Sequence, residues 1–555
     1  MENIKIVRSR QCRYCYAASE TFNPEVPISE PLAQILPSLL PSSAFPFQAS
    51  PLLLSAGTGS GKTRAIIDVV IPFAASQGLP ICVISSRAAI STQFKVAVAR
   101  KLGLEKLLEN YTHQGLRRLS QIGPIRILTY HALWSSLCSG DEWVKDIGVL
   151  VFDEFHALAL DALFVSYTGQ LLQKIPVVFR KAIRLYISAT PEPIIDALLQ
   201  VEGNERLSAL RWPANYANYR LNFFSEPRDI VNKLNMLPSD EHALVFVSSI
   251  SAGEDIARKL DKSYRIVSSK TKENEPEVWS HLLESQALDR QVTLTTTTLD
   301  AGVSLTDPAL RHIFCVGLEA AAVIQQAGRK RLRTNDRLNL YLWSPSQQQL
   351  GHLLRRNSEM ISALRSNESE PHRFLRDYIL ENTLPAVRAM CSINPDLSLS
   401  VNPLSLELFL RERDLLSKLL SSEEDYPLDT YWCRVFGQEL PKDPTRWLDK
   451  RLDESAKKSL LSWLDMQVGK TIRGKDAQHA FGEELKSLYQ QAFGPRPNDR
   501  ADRSWGLSTI KKVLCERSLP YSVESKNGGW SFDRAGRDSS TSQEYIIYKE
   551  GGEVE

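Results

Sequence analysis

The spacing of apolar residues along the chain changes character near Trp343. Before that point, short apolar runs alternate with segments of helical spacing, and the runs at residues 52–54 and 149–152 are continuous enough to be strands buried on both faces. Strands that alternate with helices predict an α/β fold with mostly parallel sheets. After Trp343, apolar residues recur at helical intervals up to about residue 490, which predicts a mainly helical region.

The last sixty or so residues have a pattern of their own. Helical spacing over 507–514 is followed by alternating apolar residues on both sides of Asn527 and Gly528, which predicts a helix and then a hairpin with a tight turn. Residues 545–548 are expected to add an edge strand. The order is compatible with a winged-helix-like module that contacts phosphates, and equally with a small α+β cap that binds a protein partner.

A glycine-rich turn follows the first apolar run and precedes a helical segment. In this layout, glycines let the backbone N–H groups turn toward a triphosphate, Lys62 reaches the terminal phosphates, and the Thr63 hydroxyl ligates Mg²⁺. Ala56 stands where the usual pattern has its first glycine. The predicted ATP-binding residues are Ala56, Gly57, Thr58, Gly59, Ser60, Gly61, Lys62 and Thr63.

Two adjacent carboxylates follow the apolar run at residues 149–152. Mg²⁺-dependent cleavage of a phosphoanhydride needs one carboxylate for the metal and one for the attacking water. We expect Asp153 to hold the metal together with Thr63, and Glu154 to orient and deprotonate the water. An Asp-Glu pair alone is more often a solvated turn, but the glycine-rich turn upstream favours the catalytic interpretation.

These motifs, in this order, resemble those of superfamily-2 helicases, with residues 153–156 as the DExH box. The resemblance covers roughly residues 50–345 and implies two tandem RecA-like domains that bind ATP between them. It also implies that Arg329 acts as an arginine finger on the transferred phosphoryl group. The residues that the resemblance implies for coupling are His156, Ser188, Ala189, Thr190, Gln325 and Gly302. Those that it implies for nucleic-acid contact are Ser86, Arg87, Gln93, Thr129, Ser248, Thr296 and Thr297.

One position departs from the family pattern. The family has a second arginine three residues after the first, and this chain has Leu332 there, with Arg331 and Arg333 on either side. Either a one-residue adjustment brings one of these two arginines into the site, or Arg329 works alone.

The motif order predicts five segments. They are an N-terminal leader at 1–49, a first RecA-like domain at 50–213, a second at 214–345, a helical accessory domain at 346–490, and the terminal module at 491–555.

The composition of the chain restricts how it can bind nucleic acid and in which compartment we expect it. The net charge of the 555-residue chain is only +2, so a nucleic-acid path must be a local groove rather than a general cationic surface. Neither a transmembrane segment nor a signal peptide is evident, and eight scattered cysteines suit reduced thiols, so we expect a cytoplasmic protein. Cys12 and Cys15 form a Cys-x-x-Cys pair, which is read either as two ordinary thiols or as half of a zinc site.

The sequence therefore predicts an ATP-dependent helicase with Mg²⁺ as its metal and nucleic acid, DNA rather than RNA, as its partner. Two alternatives remain. One is a double-strand DNA translocase that serves a restriction or defence complex, and the other is an ATP-switched clamp that signals to a protein partner.

Overall fold

In the computed structural model, the described residues are 51–108, 111, 113–203, 207–212, 214, 216–299, 303–332, 336–393, 398–424, 426–441, 446–493, 504–516, 519, 521–525 and 545–549. The chain divides into two compact units, residues 1–440 and 441–555. Cys12, Cys15 and the leader predicted at 1–49 lie outside the described residues.

The first sheet of the larger unit is formed by strands between residues 52 and 212, the part of the chain that contains the glycine-rich turn. Its strands are β1 (Leu52–Ala56), β2 (Ile81–Ser85), β3 (Gln121–Ile122), β4 (Ile125–Thr129), β5 (Val149–Asp153), β6 (Ile183–Ser188) and β7 (Ser208–Trp212). They pair in the order β3-β4-β2-β5-β6-β1-β7, and every pairing except β3 with β4 is parallel.

Helices cover both faces of this sheet. They are α1 (Lys62–Ala65), α2 (Ile71–Ser76), α3 (Ala88–Leu102), α4 (Glu105–Leu108), α5 (His113–Arg118), α6 (Tyr130–Ser139), α7 (Ala157–Leu160), α8 (Thr168–Val178) and α9 (Ile195–Glu202). A π-helical segment, Ile66–Val70, joins α1 to α2. Leu52 and Leu54 belong to one buried cluster and Leu53 to another, because successive side chains of a strand point to opposite faces.

The second sheet is entirely parallel. Its strands are β8 (Tyr219–Phe224), β9 (His242–Phe246), β10 (Tyr264–Val267), β11 (Val292–Thr295), β12 (Leu310–Cys315) and β13 (Leu338–Trp343), in the order β10-β11-β9-β12-β13-β8. Its helices are α10 (Pro227–Asn235), α11 (Ile250–Ala257), α12 (Ser269–Asn274), α13 (Pro276–Ser285) and α14 (Ala320–Ala327). The predicted α/β class, with two helix-covered parallel sheets followed by a mainly helical region, is confirmed.

The part of the larger unit that follows β13 contacts the domain of the first sheet and the domain of the second. It contains α15 (Gln347–Ser369), α16 (Pro371–Phe374), α17 (Pro385–Ala389), β14 (Cys391–Ile393), β15 (Leu399–Val401), α18 (Pro403–Leu420) and α19 (Pro427–Val435). Asn402, which caps α18, bonds to the start of α8 in the first domain. In the second domain, the indole N–H of Trp432 on α19 donates to the Trp343 carbonyl at 3.2 Å.

The Asn402 side chain makes several hydrogen bonds to the first domain, and we expect its replacement to destabilise the larger unit. Its amide donates to Val165 O and Thr168 Oγ1, each at 2.8 Å, and its oxygen accepts from Gly169 N at 3.2 Å. Asn402→Ala leaves these buried groups without partners, so we expect a loss of about 1–3 kcal/mol, measured as a lower melting temperature. Asn232→Ala, at an exposed helical position, is the matched control. Equal melting temperatures for the two variants would contradict this account.

The smaller unit has its own core. It contains α20 (Leu448–Gln467), β16 (Thr471–Ile472), α21 (Lys475–Phe493), α22 (Leu507–Glu516), β17 (Tyr521–Ser525) and β18 (Tyr545–Lys549). Apolar residues of α20, α21, α22 and β17 share one buried cluster. The predicted domain limit at residue 490 therefore falls inside α21, within this unit, while the other predicted limits remain predictions.

The terminal sheet differs from the expected one in a single respect. β18 lies between β16 and β17, both antiparallel to it, so in the described part of this sheet residues 545–549 form the central strand and not an edge. The other half of the predicted hairpin, with its turn at Asn527 and Gly528, lies outside the described residues. Among the helices of the described ranges, none combines the length and apolar character needed to cross a bilayer.

Candidate active site

The carboxyl ends of the strands of both sheets open into one cavity of 1380 Å³. Because parallel strands carry their functional loops at this edge, residues far apart in the sequence meet here. The first domain contributes Thr63, Asp153, Glu154 and Thr190 among others, and the second contributes Arg331 among others.

The glycine-rich turn lies between β1 and α1, as the sequence predicts. Gly59 and Gly61 have φ angles of +81° and +89°, in the left-handed region that favours glycine, and these let the loop turn into the helix. The Lys62 amine donates to the Ala56 and Gly57 carbonyls at 2.9 and 3.0 Å. Burial lowers the pKa of Lys62, while the neighbouring Glu154 and Asp153 carboxylates oppose that shift. The lysine is therefore held on the loop, facing the carboxylates.

The two predicted carboxylates lie at the end of β5. Burial and the adjacent Glu154 raise the pKa of Asp153 to about 7, and its Oδ1 has no hydrogen-bond partner. Glu154 has a φ of +54°, unusual for a non-glycine residue, and its Oε1 lies 4.0 Å from Lys62 Nζ. Burial alone would raise the pKa of Glu154, but the Lys62 ammonium and the second domain's arginines outweigh it and lower the pKa. Glu154 therefore stays ionised at neutral pH, as a base requires.

A charge contact and two hydrogen bonds connect this pair to the end of β6. His156 Nδ1 lies 3.0 Å from Ser188 Oγ and 3.4 Å from Glu154 Oε2, and Ser188 Oγ also accepts from Thr190 N at 2.9 Å. Ala189 and Thr190 line the cavity, and the Thr190 hydroxyl is buried without a partner. The carboxylates and the 188–190 segment are therefore joined by a continuous set of contacts.

Across the cavity, the segment after α14 packs directly on the glycine-rich turn. A Cβ placed on Gly328 would lie 2.4 Å from Thr58 Oγ1, so only glycine permits this approach. A Cβ placed on Gly59 would lie 3.0 Å from Arg331 Nη1, which puts that guanidinium against the turn. Burial lowers the pKa of Arg331, and the Glu154 carboxylate opposes the shift.

Arg329 is placed differently from Arg331. Its guanidinium donates to Gln325 O and Gln325 Oε1 at 2.8 and 3.0 Å and to Val303 O at 3.2 Å, all within the second domain. It also lines the cavity and contributes to the lowered pKa of Glu154. The sequence does not distinguish between Arg331 and Arg333 as the second arginine of the family pattern. The structure brings Arg331 to the turn, while Arg333 lies outside the described residues.

The local backbone explains why Arg331 reaches the turn. Leu305 N donates to Arg329 O and Arg331 N donates to Leu305 O, both at 2.8 Å, which pairs this segment with residue 305 as an isolated parallel bridge. Arg329 and Arg331 lie on either side of the bridge residue Lys330, which bonds to Asp307 O.

The residues predicted to contact nucleic acid are divided between the cavity and its surroundings. Those that line the cavity are Ser86, Arg87, Gln93, Ser248 and Thr297. Outside it, Thr129 Oγ1 caps α6 by accepting from Ala132 N at 3.3 Å, and Thr296 Oγ1 lies 3.3 Å from Thr298 Oγ1. Gly302 lies outside the described residues.

Arg87, partly exposed, bonds to buried neighbours in a network that the sequence did not reveal. Both carboxylate oxygens of Asp161 accept from the Arg87 guanidinium, one of them at 2.6 Å from Nη2. The Tyr130 hydroxyl donates to the same carboxylate at 2.5 Å. Asp161 is 74 residues from Arg87, and nothing in the local pattern distinguished it from a surface aspartate.

Comparisons with known proteins agree with this site. Residues 7–193 match the family described as "Type III restriction enzyme, res subunit". No curated protein sequence matches the chain.

Three solved structures resemble the chain at low identity, and two of them are described as helicases. S. cerevisiae Dbp5 bound to RNA and ADP BeF3 is 13% identical, over 59% of this chain and 85% of that chain, with a TM-score of 0.45. The DUF1998 helicase MrfA bound to DNA and AMPPNP is 15% identical, over 72% and 60%, with a TM-score of 0.45. Mycobacterium smegmatis Lhr bound to ssDNA and AMP-PNP is 16% identical, over 77% and 55%, with a TM-score of 0.40.

Because these TM-scores are below 0.5, the interpretation of the fold and the site rests on the family match, the motif order and the two parallel sheets. Together they agree with the resemblance of the larger unit to superfamily-2 helicases, and the family match itself covers residues 7–193 of the 555-residue chain.

Proposed function

We propose that this protein is an ATP-dependent nucleic-acid helicase that hydrolyses ATP between its two parallel-sheet domains. The contact of Gly328 and Arg331 with the glycine-rich turn carries the proposal. It places a cation of one domain beside the phosphate loop and catalytic carboxylates of the other, so that hydrolysis depends on how the two domains are apposed.

In this proposal, the triphosphate lies along residues 56–63, with its terminal phosphates at Lys62. Glu154, kept ionised by its cationic neighbours, accepts the proton of the attacking water. Arg331, with Arg329 behind it, stabilises the charge that develops on the transferred phosphoryl group. Each group acts on a different part of the reaction, so their removal has separable effects.

The residues at the site also fit a Mg²⁺ ion. Asp153 Oδ1 is buried without a hydrogen-bond partner, and Thr63 lines the same cavity. A carboxylate and a hydroxyl are oxygen ligands of the kind that Mg²⁺ prefers, and Asp153 and Thr63 would hold it. The bound ion would neutralise phosphate charge during cleavage. Its double charge would also oppose the raised pKa of Asp153 and keep that carboxylate ionised.

Nucleic acid would bind across the outer part of the cavity, through Ser86 and Gln93 of the first domain and Ser248 and Thr297 of the second. Hydroxyl and amide groups bind phosphate oxygens without reading base sequence, which suits movement along a strand. The charge contact between Glu154 and His156 and the hydrogen bond between His156 and Ser188 offer a physical route between the two sites. We propose DNA as the strand, in keeping with the restriction-enzyme family that residues 7–193 match.

That family match also favours a second candidate, a double-strand DNA translocase that moves without separating strands. The two candidates differ in their product. Strand-displacement and ATP-hydrolysis assays with tailed DNA, tailed RNA and blunt DNA duplexes separate them. The helicase proposal predicts displacement of the tailed DNA strand. Hydrolysis stimulated by blunt duplex without displacement would support the translocase, and ATP-dependent binding with negligible hydrolysis would contradict both.

A further inference from the structure

One aromatic side chain in the cavity is exposed where its neighbours are packed. Phe164 follows a 3-10 turn, Asp161–Leu163, on the first domain, and 56% of it is exposed. Leu163 and Val165, on either side, are partly buried and pack against hydrophobic clusters. The ring of Phe164 instead lines the cavity that also contains Ser86 and Arg87.

The backbone around Phe164 is fixed on both sides. Phe164 N and Val165 N both donate to Asp161 O, at 3.0 and 2.8 Å, and Val165 O accepts from Asn402 Nδ2 at 2.8 Å. The Asp161 side chain is buried and held by Arg87 and Tyr130. An isolated exposed apolar residue on a surface needs no explanation, but this one is presented into the cavity by a turn whose backbone is hydrogen-bonded on both sides.

We infer that Phe164 stacks on a nucleobase of a bound single strand. This inference rests on the proposed nucleic-acid function and extends it from phosphate contacts to the bases. Every base has a π face, so an aromatic platform beside a phosphate-binding groove holds a strand without selecting its sequence. The bases of an intact duplex already stack on each other, so the platform favours single strands over duplex. Ser86 and Gln93, which line the same cavity, supply polar groups that can bind the phosphates of the strand.

Binding of wild type, Phe164→Ala, Phe164→Leu and Phe164→Trp to a fluorescent single-stranded DNA tests the inference. A stacked base contributes an affinity that corresponds to roughly a 5- to 150-fold loss on removal of the ring. We expect Phe164→Ala and Phe164→Leu to lose affinity in this range and Phe164→Trp to retain it. Tyr264→Ala, an exposed aromatic residue outside this cavity, is the matched control. Equal melting temperatures establish that all variants fold.

An abasic strand of the same length separates stacking from phosphate binding. Wild type should bind it as weakly as Phe164→Ala binds the normal strand, and Phe164→Ala should lose nothing further. Equal affinity of Phe164→Ala and wild type for the normal strand would overturn the inference and leave the proposed function standing. An equal loss on both strands would also overturn it, and would assign Phe164 to packing or to an apolar protein contact. Absence of any binding by wild type would count against the proposed function itself.

Discussion

Glu154→Gln should reduce ATP turnover by about 10²–10⁴-fold while leaving nucleotide binding intact. A glutamine amide can still hydrogen-bond water but cannot accept its proton, and general-base contributions are of this size. Lys62→Ala should instead weaken nucleotide binding as well as abolish hydrolysis, because it removes the cation on the phosphate loop. Nucleotide binding by fluorescence titration and phosphate release by a single-turnover assay distinguish the two variants.

The control for this pair is Glu254→Gln, an exposed carboxylate on the second domain, which should behave as wild type. Hydrolysis by Glu154→Gln at the wild-type rate would show that Asp153 and Glu154 have been given the wrong roles.

Arg331→Ala should lower nucleic-acid-stimulated hydrolysis about a thousandfold, with little change in ATP affinity. The guanidinium lies against Gly59, and an arginine finger contributes about this much or more to phosphoryl transfer. Arg331→Lys should recover only part of the loss, because an ammonium cannot offer a planar pair of donors. Phosphate release with saturating single-stranded DNA measures the effect.

Arg329→Ala tests the role of Arg329, the other predicted arginine finger. It removes three hydrogen bonds inside the second domain as well as a charge near Glu154, so we expect a lower melting temperature in addition to lost hydrolysis. Arg258→Ala, on an exposed helical face of the same domain, is the control. Full activity of Arg331→Ala, of Arg333→Ala and of the double variant would mean that Leu332 marks a true loss of the second finger.

The sequence predicted the parts of the site that local patterns specify. The turn at residues 56–63 and the carboxylates after β5 are contiguous motifs at strand ends, and the parallel sheet brings them together. The choice between Arg331 and Arg333 was not predictable in the same way. Family spacing assumes a residue three positions on, whereas in this chain Lys330 pairs with Leu305 and the next residue, Arg331, lies against the glycine-rich turn.

The pattern of apolar residues also did not predict which distant segments contact each other. Asn402 caps α18, and its bonds to Val165 and Thr168 join segments more than 230 residues apart. The predicted limit at residue 490 failed to mark a break for a related reason. Helical spacing shows which face of α21 is apolar but not which neighbour covers it, and that neighbour includes α22.

The rate of ATP hydrolysis with and without single-stranded DNA tests the central claim most directly. If ATP is hydrolysed between the two domains under the control of a strand bound across them, hydrolysis by wild type should rise on addition of the strand. It should remain at background for Glu154→Gln under both conditions. A wild-type rate that equals the Glu154→Gln rate in the presence and absence of both DNA and RNA would contradict the account.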